Sequence, residues 1–241
     1  MIQDILTVMW KERNALFIQP RSRYRLVVTF LVPIGLSIWM PWDTGRDWFQ
    51  DYLPSLIVTF ALPLLVVGVM VPDSFAGERE RKTLETLLAS RLPDRAILFG
   101  KLVVAIGYGW AAAILALVIG LIVVNATQWT GNIGFYEPQV LLADLCLGLL
   151  ISTLTASLGV LISLRSKSIQ EAQQVLTTIL FLPPMVAGFV AFALAGRLKG
   201  SAPSVNGGLA VLIALAVIAA LCVVFIWLAM RRFRRDRLVS D

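Results

Sequence analysis

Six long apolar blocks, each close to the length a bilayer demands, dominate this chain of 241 residues. They run roughly over residues 26–42, 53–71, 96–124, 138–164, 172–195 and 208–230. A membrane-spanning helix needs about 20 mostly apolar residues, so the blocks predict six transmembrane helices and little else. Composition agrees: 58% of residues are hydrophobic and 15% charged, against roughly 45–50% and about 25% in soluble domains. The remainder is too short for a soluble catalytic domain of typical size, about 100 residues or more. The reading is one all-α integral membrane domain over residues 1–241.

Several chemistries are excluded at once. The chain has no histidine, so it has no His-ligated zinc, no Ser-His-Asp triad and no imidazole relay. It has no Gly-rich phosphate loop ending in Gly-Lys-Ser/Thr, and so no visible means of binding ATP itself. No metal site is expected. Cys146 and Cys222 both lie in apolar runs and read as small buried hydrophobes. A net charge of +6 reflects cytoplasmic loops, not nucleic-acid binding. The N-terminus does not read as a signal peptide, because Asp4 stands where a basic region belongs.

Charge assigns the sides. Of 21 Lys and Arg residues, all but Arg46, Arg197 and Lys199 fall on one face if the six blocks alternate direction. The positive-inside rule then places both termini in the cytoplasm of a multi-pass plasma-membrane protein, with a prokaryotic membrane expected. The opposite loops carry Asp43, Asp47 and Asp51. Trp42, Trp48, Phe49, Tyr52, Trp129, Phe135 and Tyr136 there read as an interfacial aromatic belt. Ahead of the first span, residues 2–18 show Ile2, Ile5, Leu6, Met9, Leu16 and Phe17 at helical spacing, with Gln3, Asp4, Lys11, Glu12 and Asn14 off the stripe. This predicts an amphipathic interfacial helix within residues 1–23: a plain anchor, or a lever that a cytoplasmic partner can push.

One loop is informative. Pro72 is read as the end of the second span, and residues 72–95 form a charged cytoplasmic connection before the third. Glu78 with Lys82 and Arg81 with Glu85 stand at i,i+4. Leu84, Leu87 and Leu88 make an apolar stripe, and Asp94 after Pro93 is placed to cap the next helix. A short helix of this kind suits a groove on a soluble partner, while the blander alternative is a solvated loop. The segment Glu78-Arg79-Glu80, Thr83-Leu84-Glu85, Leu87-Leu88, Pro93 and Gly100-Lys101 closely resembles the corresponding loop of type-2 ABC transporter permeases. Lys82 stands where that family has glycine. The resemblance implies a permease paired with a second permease subunit, identical or homologous, above two cytoplasmic ATPase subunits. It also implies a coupling helix carrying Glu78, Arg79, Glu80, Thr83, Leu84, Glu85, Leu87 and Leu88. ATP and Mg would be used by the partner ATPase, with no cofactor bound directly, and export would be the activity.

Other features stay open between a sharp and a bland reading. Asp144 is the carboxylate set inside an apolar block, a candidate intramembrane polar site. It lies about 9 Å from the end of its span at 1.5 Å per residue, so snorkelling or a hydrogen bond to a neighbouring helix is the alternative. Pro183-Pro184 predicts a kink, or a re-entrant turn over residues 185–194. Ser152, Thr153, Thr155 and Ser157 line a polar path or back-bond to their own helix. Gly100, Gly107, Gly109, Ala111, Ala112 and Ala113 permit close helix packing. The basic tail 231–241 is a stop-transfer segment that also meets anionic lipid. An ion-driven secondary transporter and a non-transporting scaffold are the rival readings. The first usually needs midplane charges and internal repeats, and a membrane enzyme needs a cluster of catalytic side chains that is absent from the sequence.

Overall fold

In the computed structural model, described over residues 2–18, 20–80, 93–129, 131–197 and 207–232, the chain is all-helical. Seven α-helices are seen among these residues: α1 (Ile2–Ile18), α2 (Pro20–Thr44), α3 (Tyr52–Glu80), α4 (Asp94–Thr127), α5 (Pro138–Ser163), α6 (Ile169–Arg197) and α7 (Gly207–Arg232). A 3-10 turn, Gly45–Phe49, follows α2. Four helices are long and apolar enough to cross a membrane: Tyr52–Glu78, Ala96–Thr127, Pro138–Ser163 and Gly208–Arg232. These match the second, third, fourth and sixth apolar blocks. The first and fifth blocks fall within α2 and α6.

Helix α3 is the axis of the bundle, packing on α2, α4, α5 and α6, while α7 leans on α5. Small residues set the spacing. A Cβ on Gly148 would lie 2.9 Å from Ala113 Cβ, and one on Gly159 would lie 2.9 Å from Val71. On α4, a Cβ on Gly109 would meet Val67 and Ser152, whereas Gly107 faces open space. Packing thus uses part of the small-residue run expected on this helix. Ser152, Thr153 and Ser157 each donate to a carbonyl of their own helix, the back-bonding alternative. Thr155 is fully buried and makes no such bond among the described residues.

Three local expectations change. Pro72 does not end its helix: α3 runs through Pro63 and Pro72 to Glu80. Proline costs an interior helix a hydrogen bond, and here Pro72 is buried among neighbours that hold the turn in place. Glu78, Arg79 and Glu80 are therefore the last turn of α3 and not loop. Asp94 is the first residue of α4, and Pro93 occupies the cap position with no side-chain cap bond. Instead the amides of Ala96 and Ile97 donate to the Pro93 carbonyl. Helix α6 continues through Pro183 and Pro184 to Arg197, so the chain does not turn back at the prolines.

Candidate functional site

Helix α3 stops at Glu80 and α4 starts at Asp94, so both roots of the charged connection lie at one end of the bundle, called here the loop end. Residues 81–92, which include Thr83, Leu84, Glu85, Leu87 and Leu88, lie outside the described residues, as does the side chain of Arg79. What is described is the platform beneath them. An apolar layer of Val71, Phe75, Ile97, Leu98 and Leu102 joins the two roots, with Val160 of α5 and Ala229 of α7 behind it. Glu80 accepts a bond from the backbone amide of Ile169, at 3.4 Å, which ties the end of α3 to the start of α6.

Set into this layer is a buried ionic node. Lys101, in the second turn of α4, has a side chain 1% exposed. Its ammonium reaches Glu12 of α1 at 3.2 Å and Glu78 of α3 at 2.9 Å. It also donates to the backbone carbonyl of Ser74 at 2.7 Å and sits 4.9 Å from the centre of the Phe75 ring. An ammonium has three N–H donors and no acceptor, and three oxygens surround this one. Ser74 Oγ donates to the other oxygen of Glu12 at 3.1 Å, and Lys11 pairs with Glu78 at 3.1 Å. Burying a charge is expensive unless it is paired and hydrogen-bonded. Here two lysines face two glutamates, and the cluster is neutral overall.

The node corrects the reading of α1. Among its described side chains Val8 and Glu12 are buried, while Leu6 and Trp10 are more than half exposed. Glu12, placed on the polar face by spacing alone, turns inward because Lys101 waits there. The sequence did carry a signal: Lys101 is a lone cation near the start of an apolar run, directly after Gly100 in the motif.

The opposite end is built from aromatic rings. Trp48 is fully buried and Phe49 nearly so, which corrects their assignment to an exposed belt. Trp48 Nε1 donates to the Tyr136 hydroxyl at 2.7 Å, and that hydroxyl donates to the Leu117 carbonyl at 2.8 Å. Phe49 and Tyr136 meet edge to face. A buried indole or phenol needs such a partner, and burial pushes the Tyr136 hydroxyl above the usual tyrosine range. Asn125 holds the following loop by bonds to both the amide and the carbonyl of Gly134. Trp42, Trp129 and Phe135 do stand exposed.

Beneath this lid lies Asp144, fully buried on α5. It does not snorkel. Ser55 and Thr59 of α3 lie beside it. Neither carboxyl oxygen, nor Thr59 Oγ1, has a hydrogen-bond partner among the described residues. The structure does not bring Asp144 and the ionic node together; they occupy opposite ends of the bundle. Cys146, expected to be buried, is exposed on the flank of α5, while Cys222 is buried.

A family model described as "ABC-2 family transporter protein" matches residues 31–232. The chain is also similar to the ABC transporter permease protein NatB of Bacillus subtilis (strain 168), 28% identical over 155 residues. That match covers 61% of this chain and 39% of the relative, so the chain spans well under half the length of the curated protein it matches.

Proposed function

The chain belongs to the ABC-2 family of transporter proteins, and from that premise we propose that it is the membrane subunit of an ATP-driven exporter, with its ATPase on separate chains. It crosses the membrane six times, α2 and α6 supplying the first and fifth passes, with both termini and the loop end in the cytoplasm. Two copies, or this chain and a homologous permease, stand above two ATPase subunits. The coupling segment carries Glu78, Arg79, Glu80, Thr83, Leu84, Glu85, Leu87 and Leu88: its leucines enter a cleft on the ATPase, Glu80 and Glu85 lie nearer the rim, and Glu78 is anchored in the platform by Lys101 and Lys11. ATP and Mg are bound by the ATPase alone.

The observation that carries this reading is the platform at the loop end. Both roots of the connection are joined there by one apolar layer, the N-terminal helix by one buried ionic cluster, and the start of α6 by the Ile169–Glu80 bond. A segment that only linked two spans would have no need of such a foundation. Force applied to the loop instead enters α3 and α4 at fixed points. The asymmetric distribution of Lys and Arg supports the sidedness.

The test is co-purification with the ATPase and the rate of ATP hydrolysis in reconstituted membranes. Truncating a buried anchor typically costs about 2 kcal/mol or more of binding. Leu87→Ala with Leu88→Ala is expected to lose the complex or its hydrolysis while still inserting normally. Leu121→Ala, on α4 away from the loop, is expected to retain both. Wild-type behaviour of the double variant would reduce the loop to a connection.

A further inference from the structure

The ionic node ties the N-terminal helix to α3 and α4, two helices that already pack closely on each other. Helix α1 packs on α4, with Leu6 and Trp10 left exposed. Its attachment to α3 runs through charge: Ser74 to Glu12, and Lys11 to Glu78. Lys101 touches both acids in these links. It is the residue of α4 that holds Glu12 of α1 and both Glu78 and the Ser74 carbonyl of α3. The ammonium lies within 3.2 Å of three oxygens with the Phe75 ring beside it, and the helices must keep their relative positions to preserve that enclosure.

We propose that Lys101 is a positioning residue for coupling: it locks the N-terminal helix and the two roots of the loop into a single rigid unit. The inference rests on the proposed coupling role of the loop and goes beyond it. Displacement of the loop by a partner carries α1 with it, so α1 acts as part of the moving unit and not as a passive anchor. The energetic basis is the low dielectric of the site. A buried charge pair with good geometry resists separation far more than an exposed one, because parting the groups leaves an uncompensated charge.

The test measures the distance between spin labels on α1 and α4, at Thr7→Cys and Val103→Cys, both exposed positions. Cys146→Ala and Cys222→Ala remove the native thiols. The full-length protein is studied in lipid nanodiscs, alone and with its ATPase, before and after trapping with ATP and vanadate. The wild type is expected to give one narrow distance that nucleotide does not alter. Lys101→Met is expected to broaden it, and Lys101→Arg, which keeps the charge, to restore much of the narrowness. In the complex, Lys101→Met is expected to lower kcat for ATP hydrolysis by about fivefold or more, with the KM for ATP unchanged and assembly intact. Should Lys101→Met fail to fold, Glu12→Gln releases α1 alone and is expected to broaden the distance in the same way. A narrow distance in these variants, or a wild-type distance that shifts on trapping, overturns the proposal. Failure of the wild type to bind any ATPase overturns the coupling reading instead, and the nucleotide-free arm still decides whether the unit is rigid.

Discussion

Both ends of the bundle bury ionisable side chains, and they do so in opposite ways. At the loop end, Lys101 is surrounded by Glu12, Glu78 and a backbone carbonyl, and each charge has a counter-charge within 3.2 Å. At the other end, Asp144 is buried among hydroxyls with neither oxygen bonded among the described residues, under a lid of Trp48, Phe49 and Tyr136. The first arrangement gains its hold from electrostatics and fixes three helices at once. The second is held by ring packing, with the acid set beside the hydroxyls of Ser55 and Thr59. A permease that must transmit force at one end needs the specific arrangement there; apolar packing suffices to close the other.

Substitutions that remove one charge from each end sharpen the contrast. Lys101→Ala removes the buried counter-charge that Glu12 and Glu78 share, and breaking a buried pair in this way typically costs about 3–5 kcal/mol. The effect should appear as a marked loss of stability in detergent denaturation. Asp144→Asn keeps the shape, removes a carboxyl that has no bond to lose, and supplies an amide that Ser55 or Thr59 can meet. Its cost is expected to be about 1 kcal/mol or less. Equal penalties for the two variants would break the comparison, since Asp144 would then have a partner as important as those of Lys101.

The helices were largely legible because their signal is local. Apolar blocks fix α4, α5 and α7 to within a few residues, and the start of α3, and no distant residue has to be known to find them. What escaped depends on pairs remote in sequence. Glu12 looks solvent-facing until Lys101 is placed beside it, and Trp48 looks interfacial until Tyr136 supplies an acceptor for its indole. Pro72 reads as a terminator because its cost is local, while the packing that offsets it comes from other helices. The acids of the loop motif were found, but their division was not: Glu78 belongs to the buried node, whereas Glu80 reaches only the amide of Ile169.

The central claim is that the loop end is the face that receives an ATPase, and contact can be measured there directly. A photo-crosslinking residue is placed at Leu87, and at Ile133 on the opposite end as a comparison, in cells that express the transporter. The account predicts that Leu87 gives an adduct with an ATP-binding protein on the cytoplasmic side, and that Ile133 gives none. An adduct from Ile133 with none from Leu87 would contradict it, since the face assigned to coupling would then be the wrong end of the molecule.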